Sequence, residues 1–249
     1  MKKLISLFLG VSVLLLAACS KQPDTASSEQ KNDAAGLQTV VIASTGSDAD
    51  IWRHIASLPE TKAAGIKLEV KNFTDYVAMN TAVANKEVDL NAFQSYAYLV
   101  AFNAANKDKI APVSTTYLEP MGIYSNKVKK VEEFAQGATI AIPNDGANES
   151  RALLLLQSAG LIKLKPDFDP VKGTPADIIE NSKKIVIKPI QMATAVRVKD
   201  EVDAILLGNT LAMEGGLNVL KDAIYYEPID QSTKLNVNVL ATAESRKDD

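Results

Sequence analysis

This sequence predicts an α/β protein built from two lobes, and three observations lead to that prediction. Hydrophobic residues make up 47% of the 249 positions and charged residues 23%, which is the usual composition of a globular protein. Short β-branched runs alternate with helical stretches, as they do where helices cover a parallel sheet. The alternation starts again near residue 120, so two lobes joined by extended segments fit the order better than one long sheet.

The first 18 residues have the pattern of a secretory signal peptide. Lys2 and Lys3 precede an almost entirely apolar run over residues 4–18, which is shorter than the roughly 20 residues of a membrane-spanning helix. The run ends in Leu-Ala-Ala before Cys19, which resembles a bacterial lipobox, cut so that the cysteine sulfur carries a lipid. An uncleaved anchor or an incidental cysteine is the alternative. We expect an extracytoplasmic protein, held at the cell membrane or outer membrane by lipid on Cys19.

The charge and the rare reactive residues exclude several classes of function. There are 27 Lys and Arg against 30 Asp and Glu, so the formal net charge is −3 and nothing favours nucleic acid as a partner. His54 and Cys19 are the only residues of their types, so a Cys/His pair, a Ser/His/Asp triad or a His/Cys metal cluster would have to use these same single residues. We therefore predict a protein that is not an enzyme and uses no metal or cofactor.

The chain after the cysteine divides into a tether and two lobes. Residues 19–37 contain almost no large apolar side chain, which predicts a flexible tether. We expect the first lobe to comprise residues 38–122 and 226–249, and the second lobe residues 123–225. Predicted strands cover residues 39–43, 67–70, 88–93, 120–124, 138–143, 184–187, 204–207 and 237–240. Predicted helices cover residues 51–55, 76–85 and 150–158.

One strand-to-helix junction carries the residues of an anion site. The predicted strand ends at Pro143, and Asn144 or Asp145 can cap the helix that follows. Asn148 and Arg151 are three residues apart, so they share a face in the first turns of that helix. Free backbone N–H groups and a guanidinium fork together suit a carboxylate. The alternative is that Arg151 pairs with a nearby acid on the surface and Asn148 only caps the helix.

The same junction resembles that of a known family. The stretch over residues 142–164 is similar to the methionine-binding lipoproteins of the NlpA group, the substrate-binding components of bacterial methionine ABC importers. Further matches lie at residues 72–76, 89–94, 119–125 and 177–181, in the family's order. The resemblance implies a type II periplasmic-binding-protein fold with the ligand in the cleft between two α/β lobes. It also implies permease and ATPase subunits of an importer as partners.

The resemblance assigns roles to individual residues. It implies that Arg151 and Asn148 hold the carboxylate of an amino acid, most simply methionine, and that Tyr76 and Phe93 enclose its side chain. Flat apolar walls suit a thioether, because sulfur–aromatic contacts are each worth about 0.3–1.5 kcal/mol. Plain core packing is the alternative for each aromatic residue, and Tyr117 fits either role. We expect Arg151→Ala to remove most binding and to leave the fold intact.

Two positions of the implied ligand shell depart from the family. The family carries a His where this chain has Ser95, and an Asn that binds the ligand's backbone falls on Gly208 by gapless matching. A shift of one residue would give that role to Asn209. The family also continues past Val239 into a final helix that this sequence does not show. These departures leave two alternatives open: a different amino acid or a short peptide as ligand, or a surface lipoprotein that serves as an adhesin or interaction module.

Overall fold

The computed structural model describes residues 36–249, apart from the side chains of residues 231 and 232. The predicted signal peptide, Cys19 and nearly all of the tether lie outside the described residues. The strands are β1 (Gln38–Ser44), β2 (Ile66–Asn72), β3 (Leu90–Ser95), β4 (Ile110–Leu118), β5 (Met121–Tyr124), β6 (Thr139–Pro143), β7 (Lys163–Leu164), β8 (Ile178–Glu180), β9 (Val186–Ile190), β10 (Ala204–Gly208), β11 (Ala223–Tyr226) and β12 (Val237–Ala243). The helices are α1 (Gly46–Ser57), α2 (Pro59–Ala63), α3 (Tyr76–Ala84), α4 (Tyr96–Ala105), α5 (Gly146–Ser158), α6 (Met192–Ala195), α7 (Asn209–Glu214) and α8 (Val219–Asp222).

Two five-stranded sheets organise the described chain. The first sheet has the order β2-β1-β3-β12-β4, and the second has the order β11-β5-β10-β6-β9. In the first sheet β1 runs parallel to β2 and β3, whereas β12 is antiparallel to β3 and β4. In the second sheet β6 runs parallel to β9 and β10, whereas β5 is antiparallel to β10 and β11. Each lobe is therefore an α/β unit, as the sequence predicts, but its sheet is mixed and not purely parallel.

Each sheet has its own apolar core. In the first lobe, α3 and α4 place Met79, Leu99 and Phe102 against the sheet residues Phe93 and Val239. In the second lobe, α5 packs its leucines against β5, β6 and β10. These cores fix the helices that carry the residues described below, because close-packed interiors leave little room for displacement.

The chain crosses between the lobes twice. It leaves the first sheet at the end of β4, and Glu119 and Pro120 lead into β5 of the second sheet. It returns over residues 227–236, between β11 and β12. Met121 and Gly122, which the sequence analysis assigns to the first lobe, belong to β5 and hence to the second sheet.

The predicted elements are present, with two informative differences at helix starts. Helix α1 begins at Gly46 rather than at Ile51, and α5 begins at Gly146 rather than at Ser150. Helix α4 and strand β4 carry no prediction from the sequence, yet they complete the first lobe. Within residues 36–249, none of the helices has both the length and the apolar character needed to cross a membrane.

Candidate functional site

A cavity lies between residues of the two lobes, and its empty space is about 490 Å³ when the part open to solvent is counted. The first lobe supplies residues from α1, α3, β3, α4 and β12, and the second lobe supplies them from α5, α6, α7 and the end of β10. The lining residues are Thr45, Asp48, Tyr76, Phe93, Gln94, Ser95, Tyr98, Glu119, Asn148, Arg151, Met192, Gly208, Thr210, Leu211 and Asn238. Four residues predicted as primary ligand contacts, Arg151, Asn148, Phe93 and Tyr76, are therefore brought together.

Three aromatic rings form the apolar wall of the cavity. The ring centroids of Tyr76 and Phe93 are 5.1 Å apart, and Tyr98 lies 6.0 Å from Tyr76 and 5.9 Å from Phe93 in edge-on contacts. These separations are those of favourable aromatic pairs. Burial raises the pKa of the Tyr76 and Tyr98 phenols, so both stay neutral at physiological pH. The wall thus offers aromatic carbon and two hydroxyl groups to a ligand.

A buried amide cluster, Asn80, Asn91 and Gln94, sets the position of this wall. Asn80 lies on α3 beside Tyr76, and the other two lie on β3 beside Phe93. Asn80 donates to the Gln94 side chain at 2.9 Å, and its own oxygen accepts from Asn91 and Gln94 at 2.8 Å. Because a buried amide left unpaired is destabilising, this network specifies one arrangement of helix against strand.

Arg151 lines the cavity, but its guanidinium is already paired. Its Nε donates to Oε1 of Glu227 at 2.8 Å, and its Nη2 donates to Oε2 of Glu227 at 2.5 Å and to the carbonyl oxygen of Glu119. Both side chains are only 8% exposed. Glu227 also accepts from the Met121 backbone at 2.8 Å and from Asn236 at 3.1 Å. We call these groups the Arg151 cluster: Arg151, Glu227, Asn236, the Met121 N–H and the Glu119 carbonyl.

This pairing changes two expectations from the sequence. The fork formed by Nε and Nη2 is occupied by Glu227, so Nη1 is the part of Arg151 that has no hydrogen-bond partner among the described residues. The expected surface acid is in fact a buried one from the return crossover. Arg151→Ala would remove the cation from the buried Glu227 carboxylate, so we expect this variant to destabilise the fold as well as to lose binding.

Asn148 lies one helical turn before Arg151, and Asp145 caps their helix. The Asp145 carboxylate accepts from the Asn148 backbone N–H at 3.1 Å and from the Asn148 side chain at 2.9 Å. Burial raises the pKa of Asp145, although the hydrogen bonds from Asn148 oppose that rise. The capping role considered for Asn148 therefore belongs to Asp145, and Asn148 lines the cavity.

Asp48 is the second charged group of the cavity wall. It lies in the first turn of α1 and is 3% exposed. Its Oδ1 accepts from the Thr210 hydroxyl of α7 at 2.9 Å, a contact between the lobes, whereas its Oδ2 has no partner. Burial raises the pKa of Asp48 to about 6, and the nearby Glu119 and Glu214 add to the rise while the Tyr117 and Thr210 hydroxyls oppose it. We call Asp48, Thr210, Tyr117 and the Glu119 carboxylate the Asp48 cluster.

Glu119 links the two clusters, because its backbone carbonyl belongs to the Arg151 cluster and its carboxylate belongs to the Asp48 cluster. The carbonyl accepts from Arg151, while Oε1 accepts from the Thr210 backbone N–H and Oε2 from the Asn238 side chain at 3.4 Å. A Cβ atom at Gly208 would lie 3.0 Å from Glu119 Oε1. The Glu119 carboxylate therefore lies next to position 208, where the resemblance implies an Asn.

The remaining predicted ligand residues fall in different surroundings. Ser95 lines the cavity and caps α4 by accepting from the Tyr98 backbone at 3.2 Å. Tyr117 and Asn209 are not among the lining residues. Tyr117 lies beside Asp48 and Asn238, and Asn209 donates to the Met213 sulfur at 3.2 Å within its own lobe.

Several lining residues have no counterpart in the sequence-based predictions. They are Thr45, Asp48, Gln94, Tyr98, Glu119, Met192, Thr210, Leu211 and Asn238. Gln94 and Glu119 lie inside stretches that carry the family resemblance, so a signal for them was present. Asp48 and Asn238 come from opposite ends of the chain, and only the tertiary fold brings them together.

A wider space of about 760 Å³ adjoins the cavity and shares Thr45, Tyr76, Met192 and Leu211 with it. Its charged lining residues are Asp75, Asp145 and Glu214, all acidic. No group of three or more His, Cys, Asp or Glu side chains in residues 36–249 is arranged to hold a metal ion.

Comparison with known proteins identifies the family of this chain. The sequence profile of the NlpA lipoprotein family matches residues 40–249. The chain is similar to the "probable D-methionine-binding lipoprotein MetQ" of Pasteurella multocida, with 35% identity over 246 residues that cover 99% of this chain and 87% of the relative.

Solved structures give the same result. One is a nutrient binding protein from Burkholderia cenocepacia bound to methionine, with a TM-score of 0.79 and 35% identity over 84% of this chain and 86% of that one. Another is the substrate binding protein of a methionine transporter from Streptococcus pneumoniae, with a TM-score of 0.75 and 39% identity over 83% of this chain and 81% of that one. These similarities confirm the type II periplasmic-binding-protein fold.

Proposed function

This chain belongs to the NlpA lipoprotein family, and we propose that it captures methionine outside the cytoplasmic membrane and delivers it to an ABC importer. The observation that carries the proposal is the interlobe cavity, in which an aromatic wall and polar, charged groups face one enclosed space. An amino acid with an apolar side chain has the same two-part chemistry. The chain itself performs no covalent step, and the ATPase and permease subunits of the importer would supply transport.

Methionine matches the aromatic wall through its thioether. Tyr76, Phe93 and Tyr98 line the cavity and lie in contact with one another. Sulfur–aromatic contacts contribute about 0.3–1.5 kcal/mol each, so three rings together would favour methionine over an isosteric hydrocarbon side chain such as that of norleucine. Met192 from the second lobe lines the same cavity and offers a further polarizable contact.

The ligand carboxylate would lie against α5. The Nη1 hydrogens of Arg151 and the side chain of Asn148 are the donors on that helix that line the cavity. Because Glu227 already occupies the Nε edge, we expect a contact from Nη1 alone rather than a two-nitrogen fork. Charge-assisted hydrogen bonds of this kind are stronger than neutral ones, so the contact still favours an anionic group.

Closure of the lobes would occur at the two crossovers. Arg151 contacts both of them, because it donates to Glu119 in the first crossover and to Glu227 in the second. A ligand that touches Arg151 and the aromatic wall together contacts residues of both lobes, and only such contacts can favour the closed form. The predicted lipid on Cys19 and the polar tether would keep this binding unit near the membrane-embedded importer.

Titration calorimetry on the purified full chain tests the proposal with L- and D-methionine. We expect the unmodified protein to bind methionine and Asn148→Ala to bind it about tenfold more weakly, the effect of losing about 1.4 kcal/mol. The capping bond from the Asn148 backbone to Asp145 is kept, so the melting temperature should stay close to that of the parent protein.

Ser158→Ala is the matched control, since Ser158 lies on the same helix and donates to the Leu155 carbonyl outside the cavity. It should leave the affinity unchanged. Absence of binding for both enantiomers would reject methionine as the ligand and favour the adhesin or interaction role. An Asn148→Ala variant with full affinity would reject the placement of the carboxylate.

A further inference from the structure

The free oxygen of Asp48 is the most unusual feature of the cavity wall. Asp48 is only 3% exposed. Its Oδ2 is one of two buried side-chain polar atoms in the described residues that have no hydrogen-bond partner. The other, the Tyr124 hydroxyl, belongs to the core of the second lobe. A buried polar atom without a partner is destabilising, and folded proteins rarely keep one without a reason.

The surroundings of Asp48 do not supply the missing partner. Thr210 from α7 donates to the other oxygen, and the Tyr117 hydroxyl from β4 lies nearby. The charged groups that influence Asp48 are Glu119 and Glu214, and both carry the same sign as Asp48. Asp48 therefore lacks a neighbouring positive charge, and its Oδ2 lacks a hydrogen-bond donor.

We propose that Asp48 accepts the protonated amino group of the ligand on its free Oδ2, and thereby restricts the site to ligands that carry a cationic amine. This inference rests on the proposed function, in which the ligand is an amino acid. An ammonium group supplies both the missing donor and the missing charge. Glu119 strengthens the same subsite, because it lines the cavity and its carboxylate accepts from uncharged donors, the Thr210 backbone and the Asn238 side chain.

The subsite also connects the amine to the contact between the lobes. Asp48 belongs to α1 of the first lobe, and its Oδ1 accepts from Thr210 of the second lobe. An ammonium on Oδ2 stabilises the charged form of this carboxylate, and a charged acceptor makes a stronger hydrogen bond to the Thr210 hydroxyl. Recognition of the amine and closure of the lobes would then reinforce each other.

The test compares methionine with 4-(methylthio)butanoate, which has the same carboxylate and thioether but no amine. Titration calorimetry at pH 7.5 on the full chain should show at least a hundredfold preference of the unmodified protein for methionine. Asp48→Asn should reduce that preference at least tenfold, through weaker binding of methionine and unchanged or tighter binding of the analogue. Asp50→Asn is the control, because it removes an exposed carboxylate of the same helix that pairs with Arg53 outside the cavity, and it should keep the preference.

Three other results have distinct meanings. Equal weakening of both ligands in Asp48→Asn would overturn the proposal, because Asp48 would then have only a structural role. Equal affinity of the unmodified protein for both ligands would also overturn it, while methionine binding itself would stand. Binding of neither ligand would reject the proposed function and this inference with it.

A measurement on the unmodified protein avoids any question of how the variant folds. Between pH 8 and pH 5.5 both ligands keep their carboxylates largely ionised, and methionine keeps its amine protonated. Protonation of Asp48, whose pKa is about 6, would compete with the amine, so methionine affinity should fall roughly fourfold relative to that of the analogue. Tyr117, Glu119, Glu214 and Thr210 surround Asp48 in both cases, so the ratio of the two affinities isolates the amine. A ratio that does not change with pH would overturn the proposal.

Discussion

The Arg151 cluster and the Asp48 cluster line the same cavity, yet they differ in how completely their charges are satisfied. In the Arg151 cluster both carboxylate oxygens of Glu227 have two partners each, and Arg151 uses three of its N–H groups within the protein. In the Asp48 cluster one carboxylate oxygen has no partner. The charges of the Arg151 cluster are therefore paired within the folded protein, whereas Oδ2 in the Asp48 cluster has no donor.

The difference separates structural from recognition charges. A buried charge that is fully paired holds chain segments together, and here it joins α5 to both crossovers. A buried charge that is partly paired destabilises the ligand-free protein and gains a partner on binding. A basic residue in a cleft is thus not automatically a ligand contact, and its partners must be examined first.

The largest expected effect comes from breaking the Arg151 cluster. We expect Arg151→Ala to lower the free energy of unfolding of the ligand-free protein by about 3–5 kcal/mol, because Glu227 would remain buried without its cation. Urea denaturation followed by circular dichroism measures this change. The accompanying loss of methionine binding would then reflect altered structure as well as the missing contact.

An exposed ion pair provides the control. Lys163 and Glu180 lie 2.6 Å apart, with side chains 59% and 64% exposed, so Lys163→Ala should change the free energy of unfolding by less than about 1 kcal/mol. Combining Arg151→Ala with Glu227→Gln should recover part of the lost stability, since no ionised carboxylate is stranded. Equal destabilisation by Arg151→Ala and Lys163→Ala would contradict the contrast between the clusters.

A smaller effect is expected from protonating Asp48 in the ligand-free protein. Its pKa rises from the ordinary 3.8 to about 6, so the folded state binds more protons than the unfolded state between these values. The free energy of unfolding should therefore increase as the pH falls from 7 to 4, by about 2 kcal/mol for this group alone. Thermal or urea unfolding of the unmodified protein and of Asp48→Asn, measured across this range, gives the contribution as a difference.

The comparison of the unmodified protein with Asp48→Asn is needed because other carboxyl groups also change the free energy of unfolding in this pH range. Burial also raises the pKa of Asp145 and Glu214, and these groups add the same trend to both proteins. The stability gap should change in favour of the unmodified protein on acidification. A gap that is independent of pH would show that Asp48 already has its charge satisfied without ligand.

Local patterns in the sequence were sufficient for most of the fold. The β-branched runs of β1 and β6 and the leucine-rich α5 are visible within a few residues, and so is the shared face of Asn148 and Arg151. Helix α4 escaped prediction because apolar residues occur around nearly its whole circumference, which removes the amphipathic period. Strand β4 begins buried and continues exposed, so it lacks the pattern of a buried strand.

The pairing of the site could not be predicted locally. Glu227 is 76 residues from Arg151, and Thr210 is 162 residues from Asp48. Nothing in the spacing of these residues indicates that they meet, because the contacts form only when the chain has crossed between the lobes twice. The sequence therefore predicted the charged residue Arg151 but not its partner, and it missed Asp48 entirely.

The smallest expected effects are changes in methionine affinity on substitution of Gly208 and of its neighbour Asn209. Gly208 has an ordinary backbone conformation, with φ of −64°, so Ala is accommodated without backbone strain. Its Cβ would press on Glu119 Oε1 at 3.0 Å and disturb the Asp48 cluster while leaving the Arg151 cluster in place. We expect Gly208→Ala to weaken methionine binding roughly tenfold, the effect of about 1.4 kcal/mol of overpacking.

Asn209→Ala should change the affinity by less than about twofold, since its amide bonds to Met213 and to the Val219 backbone within the second lobe. Calorimetric titration of both variants with methionine decides between the two sequence alignments. A larger loss for Asn209→Ala would transfer the family's Asn role to position 209 and remove Gly208 from the ligand shell. The expected order would instead show that Glu119 has taken up the space beside Gly208, so that a carboxylate faces the ligand where the family presents an amide.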